Sequence, residues 1–324
     1  MSSSFKKTLL GSGALLLAAF FWGSTFVAQS SAVELLSPFS YLFARSAVGA
    51  FALFAVLLLR LLFGGKRQQA PLKTRARALF SKRALLGGAL CAPVITAASA
   101  LQQYGIHLGA GAGEAGFLTS VYMFIVPLLF FIFYRKKVAL NVLLGAVLTA
   151  LGLYFLCLKG EGGLSLGMGQ ALILACALAY ALHILLIARF EDVDPVALSF
   201  LQFLFCTLIS LILALLFEEV KVGMLLEAWF PIVYAGIFST AIAYTLQIFG
   251  QKHTPPALAS ILMSCESVIA LLCQWLCALL GIFGKPFALS FDQILGCVLA
   301  FCGIVCAQLV FKKPKKSKKQ QQSR

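Results

Sequence analysis

Long apolar runs alternate along this chain with short polar gaps. A helix crosses the hydrocarbon layer of a bilayer with about 20 apolar residues. Ten segments meet that length, at 9–29, 38–63, 84–104, 113–134, 138–158, 166–189, 195–217, 229–250, 256–280 and 290–311. Most gaps between them are brief. The longest, GGKRQQAPLKTRARALFSKR, is too polar and too basic to span. The first run, LLGSGALLLAAFFWGSTFVA after two lysines, exceeds the core of a typical signal peptide and reads as a first span rather than a leader. The pattern predicts an all-α integral membrane protein with ten transmembrane helices.

The pattern also repeats. PFSYLFAR, ending at Arg45, aligns with PVALSFLQ, ending at Gln202. LQQYG, ending at Gly105, aligns with LQIFG, ending at Gly250. FLTS, ending at Ser120, aligns with ILMS, ending at Ser264. WGST, ending at Thr25, aligns with YALH, ending at His183, and LLGAVLTALG with ILGCVLAFCG. Each match is short, but they keep one order through five spans. Five is odd, so the second half crosses the membrane in the opposite sense. Two inverted five-helix repeats are expected: residues 1–160, residues 161–311, and then a basic cytoplasmic tail over 312–324. Inverted repeats recur in secondary transporters, where two similar bundles give two states of similar energy, one open to each side.

Composition fits lipid as the surrounding medium: 61% of residues are hydrophobic and 11% charged, against about a quarter charged in soluble domains. A net charge of +15 raises nucleic acid as a partner. The basic residues instead gather in the gaps and in the tail KKPKKSKKQQQSR, which excludes that reading. With the N-terminus inside, 22 Lys and Arg fall on one side, and Lys159, Lys221 and Lys285 on the other. That asymmetry predicts a multi-pass plasma-membrane protein with both termini cytoplasmic. The ten cysteines all lie in apolar runs, without a CxxC pair, and read as packing residues. GxGxxG at Gly111, Gly113 and Gly116 joins two spans instead of following a strand, so it reads as a flexible external turn and not a dinucleotide loop. Neither a cofactor nor a metal is expected, and no Walker A motif points to ATP as the driving force.

FFWGSTF in the first span, the Pro-x6-Arg of the second, FLTSVYMFIVPLLF in the fourth, LMSCESVIALL in the ninth and the paired glycines of the fifth and tenth together resemble one family. They are similar to the EamA-like branch of the drug/metabolite transporter superfamily, over nearly the whole chain. The resemblance implies a secondary active transporter, an exporter of a small metabolite such as an amino acid or a related compound. One departure is visible. Spans four and nine run into YRKK and GIFGK, without the Gly-Glu frequent there in the family. A membrane-embedded enzyme and a passive channel without ion coupling remain as alternatives. The three histidines, far apart in sequence, argue against the enzyme, and the inverted repeats against the channel.

The candidate substrate-binding residues are Trp22, Arg45, Tyr122, Tyr180, His183, Gln247 and Glu266. Arg45 lies two turns into its span and either snorkels to headgroups or faces a cavity, ready for a carboxylate, a phosphate or a buried acid. Glu266 lies near mid-depth, too deep to snorkel, where an acid costs on the order of 3 kcal/mol by analogy with Asp. It is a hydrogen-bonded structural acid beside Ser264 and Ser267, a partner for a cation or substrate amine, or a proton-coupling site. His183 is a packed histidine or, as repeat mate of Thr25, a cavity residue. Trp22 and Tyr180 are mates beside small residues. Tyr122 reads as a core or path aromatic, and Gln247, with Gln102 and Gln103, as an interhelical hydrogen-bonding group or a path residue. The expected partners are a small-molecule substrate and the lipid bilayer, with room for proton coupling and for a homodimer.

Overall fold

The computed structural model describes residues 3–63, 71–110, 112–135, 138–157, 167–281 and 290–309. Lys159, Lys285, the side chain of Glu114 and the basic tail lie outside the described residues. All regular elements among the described residues are helical. The first three spans are Ser3–Val33, Pro38–Phe63 and Lys82–His107. The fourth is Ala112–Ser120 followed by Tyr122–Tyr134, the fifth Leu140–Cys157, the sixth Met168–Ile187 and the seventh Pro195–Phe217. The eighth joins Trp229–Tyr234, a π-helical stretch Ala235–Ala243, and Tyr244–Gln251. The ninth is Pro256–Met263 with Cys265–Leu279, and the tenth Phe291–Gln308. Among the described residues, nine spans are long and apolar enough to cross a bilayer. The fifth is apolar over Leu140–Phe155 and then runs into undescribed residues.

Burial is sorted as lipid demands. Large apolar side chains such as Phe51, Phe63, Leu128, Phe217 and Phe301 face outward, while small and polar residues are buried together with large ones such as Leu15, Tyr41 and Phe203. Lipid tails are as apolar as leucine, so helices gain little from hiding large side chains. Close backbone approach is what joins them. Glycine pairs supply it. A Cβ on Gly145 would meet the carbonyl of Gly303 at 2.6 Å, and one on Gly152 the carbonyl of Gly296 at 2.6 Å. Rising residue number on the fifth span meets falling number on the tenth, so these repeat mates run antiparallel and the two halves are inverted. Gly11 and Gly250 touch likewise at 2.9 Å, and their mates Gly169 and Gly105 at 2.8 Å. One contact thus appears twice, between the first and eighth spans and between the sixth and third.

The antiparallel second and seventh spans are fastened at both ends. At one end Glu218 accepts hydrogen bonds from the N–H groups of Phe39 and Ser40 and from the hydroxyls of Ser40 and Tyr104, at 2.8–3.1 Å. The two N–H groups are orphan donors of a helix start, where negative charge is favoured. At the other end Asp194 caps the seventh span through the N–H groups of Val196 and Ala197 and pairs with Arg60 at 2.9 Å. Burial alone would raise the pKa of Asp194; the hydrogen bonds from Arg60 and the cap outweigh it and hold the carboxyl below its usual range.

Three local features depart from the sequence reading. The basic connection contains a helix, Leu72–Leu79, because LKTRARAL consists largely of strong helix formers. Arg75 on it donates to the carbonyl of Arg60 at 2.7 Å. The fourth span starts at Ala112, so Gly113 and Gly116 are helical and the flexible turn there shrinks. Close packing explains it: Gly116 lies against Ser267, which donates to the Gly116 carbonyl at 3.0 Å. Pro93 sits within an unbroken helix, whereas the fourth and ninth spans are interrupted at Val121 and Ser264, one residue apart in the repeat register. In the ninth span, Ser260 and Ser264 bond back to carbonyls three residues earlier, a pattern that bends helices.

The glycine contacts make a test in which helix propensity predicts the wrong sign. Alanine outranks glycine in a helix by about 1 kcal/mol. A methyl group on Gly13 would find nothing within 4 Å, whereas one on Gly152 would meet the Ala300 nitrogen at 2.4 Å. Gly13→Ala is expected to hold or raise the thermal unfolding midpoint in detergent, and Gly152→Ala to lower it. Equal responses would refute close backbone contact between the fifth and tenth spans.

Candidate functional site

Polar side chains buried between membrane helices need partners, and most in this core have them. Gln29 donates to Gln103 at 2.6 Å and Gln102 to Thr119 at 3.1 Å. The Ser120 and Ser267 hydroxyls meet at 3.0 Å. Such bonds contribute on average about 0.6 kcal/mol each in membrane bundles. What matters for function is where partners run out.

That place is a central cavity of about 40 Å³, counted over positions that a water's centre can occupy. At roughly 10–15 Å³ per water it holds about three. The first span lines it with Trp22, Thr25, Phe26 and Gln29, a single helical face at i, i+3, i+4 and i+7. The second contributes Arg45, the third Gln102, the fourth Thr119 and Tyr122, the sixth Tyr180 and Ile184. Ser239 of the π-helical stretch, Tyr244 and Gln247 come from the eighth, Met263 and Glu266 from the ninth. Trp22 and Tyr180, Gln102 and Gln247, and Tyr122 and Glu266 are repeat mates. The cavity therefore lies on the pseudo-two-fold axis. Tyr122 and Glu266 each follow a helix interruption by one or two residues, and they meet across the axis: the Tyr122 hydroxyl donates to Glu266 Oε1 at 3.2 Å.

Two ionisable groups share this cavity without pairing. Arg45 and Glu266 are each 6% exposed. No hydrogen bond or ion pair to the Arg45 guanidinium is found among the described residues, and its Nε is buried without a partner. The Tyr41 ring lies 5.6 Å from the guanidinium carbon. An arginine within a span costs about 2.5–3.5 kcal/mol on insertion scales. Leaving its donors unused adds to that cost, so Arg45 is a group prepared for something the chain itself does not provide.

Of the seven residues expected at the site, six line the cavity: Trp22, Arg45, Tyr122, Tyr180, Gln247 and Glu266. His183 does not. It is fully buried behind Tyr244, with ring centroids 6.1 Å apart, and its Nε2 bonds Gln202 Oε1 at 3.1 Å. The lining residues not chosen from sequence include Thr25, Phe26, Gln29 and Ser239. The i, i+3, i+4, i+7 spacing from Trp22 carried a signal for the first three. Ser239 owes its position to π-helical winding, for which the sequence has no marker.

Comparisons with known proteins agree with this architecture. The model of the EamA-like transporter family matches the chain twice, over residues 9–158 and 167–308. An Archaeoglobus fulgidus protein named as an uncharacterized transporter is 26% identical over 265 residues, covering 82% of this chain and 77% of that protein. The uncharacterized transporter YetK of Bacillus subtilis is 27% identical over 220 residues, 65% of this chain and 64% of its own length. One solved crystal structure superposes with a TM-score of 0.70 at 20% identity, covering 94% of this chain and 98% of the other, a likeness of fold.

The Tyr122–Glu266 link is open to a double-mutant cycle. Tyr122→Phe, Glu266→Gln and the double variant are expected to show a coupling of about 0.5–1.5 kcal/mol in unfolding experiments. Strict additivity of the two substitutions would mean that the hydrogen bond contributes nothing.

Proposed function

Because the chain belongs to the EamA-like transporter family, within the drug/metabolite transporter superfamily, we propose that it is a secondary active carrier that exports a small metabolite, such as an amino acid or a related compound, by alternating access. The chain is a multi-pass membrane transporter; the direction, substrate and drive are our reading. The observation that carries it is the central cavity, enclosed between two inverted halves and lined by repeat mates. A binding site on a pseudo-two-fold axis is reached equivalently from either side when the two halves exchange conformations. The Lys and Arg asymmetry supports cytoplasmic termini, and the plasma membrane is part of our reading.

In this reading Trp22, Tyr122, Tyr180 and Gln247 form the walls of the binding site, Arg45 and Glu266 supply its ionisable groups, and His183 acts through its bond to Gln202. Glu266 is the group suited to couple transport to protons. It is buried, one of its oxygens is held by Tyr122, and no cation lies within ion-pair distance among the described residues. Taking up a proton removes a charge that is costly at this depth.

The test uses purified protein in liposomes loaded with a panel of amino acids, nucleosides and sugars. A carrier shows saturable counterflow, whereas a channel does not. Glu266→Gln is expected to abolish the acceleration of flux by a pH gradient, while counterflow of the same compound persists at saturating concentration with a raised half-saturation concentration. Unchanged driven flux in that variant would defeat proton coupling through Glu266.

A further inference from the structure

The acids of this chain are as unevenly placed as the bases. On the side that carries 22 Lys and Arg, the sequence puts only Glu191, Asp192 and Asp194. Seven of the eleven acids fall on the other side, and Glu266 lies within a span. Two of the three are already committed, Asp194 to Arg60 and Asp192 to Arg83. The chain itself therefore leaves most of the positive charge on that side unmatched. Where part of that charge is held in a fixed arrangement, it makes a binding surface.

The helix Leu72–Leu79 is such an arrangement, because its two faces differ. Arg75, Ala76, Leu79 and the following Phe80 are half-buried. Arg75 donates to the Arg60 carbonyl near the end of the second span, at 2.7 Å. The Phe80 ring meets Phe200 of the seventh span edge-on, with centroids 6.1 Å apart, and Phe200 lies beside Phe54 of the second at 5.9 Å. Phe54 is 46% exposed, on the surface that lipid covers. The helix is thus pinned where the hydrocarbon layer ends, by an aromatic ring on one side and a hydrogen bond at its flank. A basic face opposite an aromatic and aliphatic one is the form of helices that lie in the interface plane. Lys73, Thr74 and Arg77 occupy that basic face, at i, i+1 and i+4, and all three are exposed. Neither Lys73 nor Arg77 has an ion-pair partner among the described residues.

The anion found at this depth in a membrane is the phosphodiester of a lipid. A zwitterionic lipid offsets it with its own ammonium, whereas an anionic phospholipid leaves a net charge for basic side chains to meet. We propose that Lys73, Thr74 and Arg77 seat the headgroup of an anionic phospholipid from the leaflet on the Lys- and Arg-rich side. The two cations meet the phosphodiester, and the threonine hydroxyl donates to it. Arg75 and Phe80 tie this helix to the second and seventh spans, beside the Arg60–Asp194 pair. The bound lipid therefore steadies those two spans from the membrane surface. The site is separate from the central cavity and does not rest on the carrier reading.

The test compares phosphatidylglycerol with phosphatidylcholine on the purified full-length chain in detergent, by native mass spectrometry and by thermal unfolding. Phosphatidylglycerol is expected to be retained in preference and to raise the unfolding midpoint, and salt to weaken both effects. Arg77→Gln is expected to weaken phosphatidylglycerol binding roughly fivefold, as for one basic residue near an anionic surface, and Lys73→Gln with Arg77→Gln roughly thirtyfold. Glutamine keeps the helix propensity of the residues it replaces, and Arg77→Lys is expected to retain most of the binding. Lys6→Gln with Lys7→Gln removes the same charge from the same side and is expected to leave binding within about twofold. Equal losses in the two double variants would overturn the site, since charge would then act only as a diffuse field. Equal retention of the two lipids would overturn it as well. Displacement of the lipid by inorganic phosphate or glycerol phosphate would assign the surface to a soluble anion and defeat the lipid proposal. If the double variant at Lys73 and Arg77 does not fold, Arg77→Gln alone decides.

Discussion

The rest of the structure depends on the close backbone contact that glycine permits between antiparallel helices. Lipid offers no hydrophobic drive to hold helices together, so register must come from shape. Gly145 against Gly303 and Gly152 against Gly296 fix the fifth and tenth spans to one crossing. Gly11 against Gly250, with its mate Gly169 against Gly105, fixes the spans nearest the axis. Once these contacts are set, matched residues in the two halves stand across from one another. A side chain that faces the axis in one half then brings its mate to the same place. That is why Trp22 and Tyr180, Gln102 and Gln247, and Tyr122 and Glu266 converge on one cavity.

A symmetric frame gives meaning to each breach of symmetry. Tyr122 and Glu266 occupy matched positions just after the two helix interruptions, yet one is a phenol and the other an acid, and the phenol donates to the carboxyl. The third span carries Pro93 within an unbroken helix, whereas the eighth is wound as a π-helix over Ala235–Ala243. Only the π-helical stretch turns a hydroxyl, that of Ser239, toward the cavity. The axis thus creates the cavity, and the differences between the halves give it chemistry.

Much of this was legible in the sequence because it rests on periodicity and on repetition. The span limits came from run length, and the inversion followed from an odd count in each half. The glycines in register at 145, 152, 296 and 303 predicted a shared role before any contact was visible. Arg45 and Glu266 stood out because charge is rare at such depth. Local winding was harder to read. The break at Ser264 goes with serine back-bonding, neither it nor the break at Val121 has a proline at the break itself, and Pro93 is absorbed within its helix. His183 shows a different limit. As repeat mate of Thr25 it was open to a place at the cavity, but rotamer and neighbour decide whether a side chain faces a cavity, and His183 bonds Gln202 instead.

Access to the cavity has to change through elements that are free to move. The second and seventh spans are fastened at both ends, by Glu218 at one and by the Arg60–Asp194 pair at the other. With both fastenings closed together, this pair behaves as a single body. The fifth and tenth spans are likewise locked by reciprocal glycine contacts, and none of their described residues lines the cavity. The fourth and ninth differ. Each is interrupted once, each places a cavity residue immediately after the interruption, and the Tyr122–Glu266 bond and the paired Ser120 and Ser267 hydroxyls join them. A ligand that draws on the free oxygen of Glu266 changes the electrostatics of that junction from within the cavity. On the carrier reading proposed above, recognition and movement share the same few atoms, and the interrupted helices are where a bound substrate has leverage over the rest of the bundle.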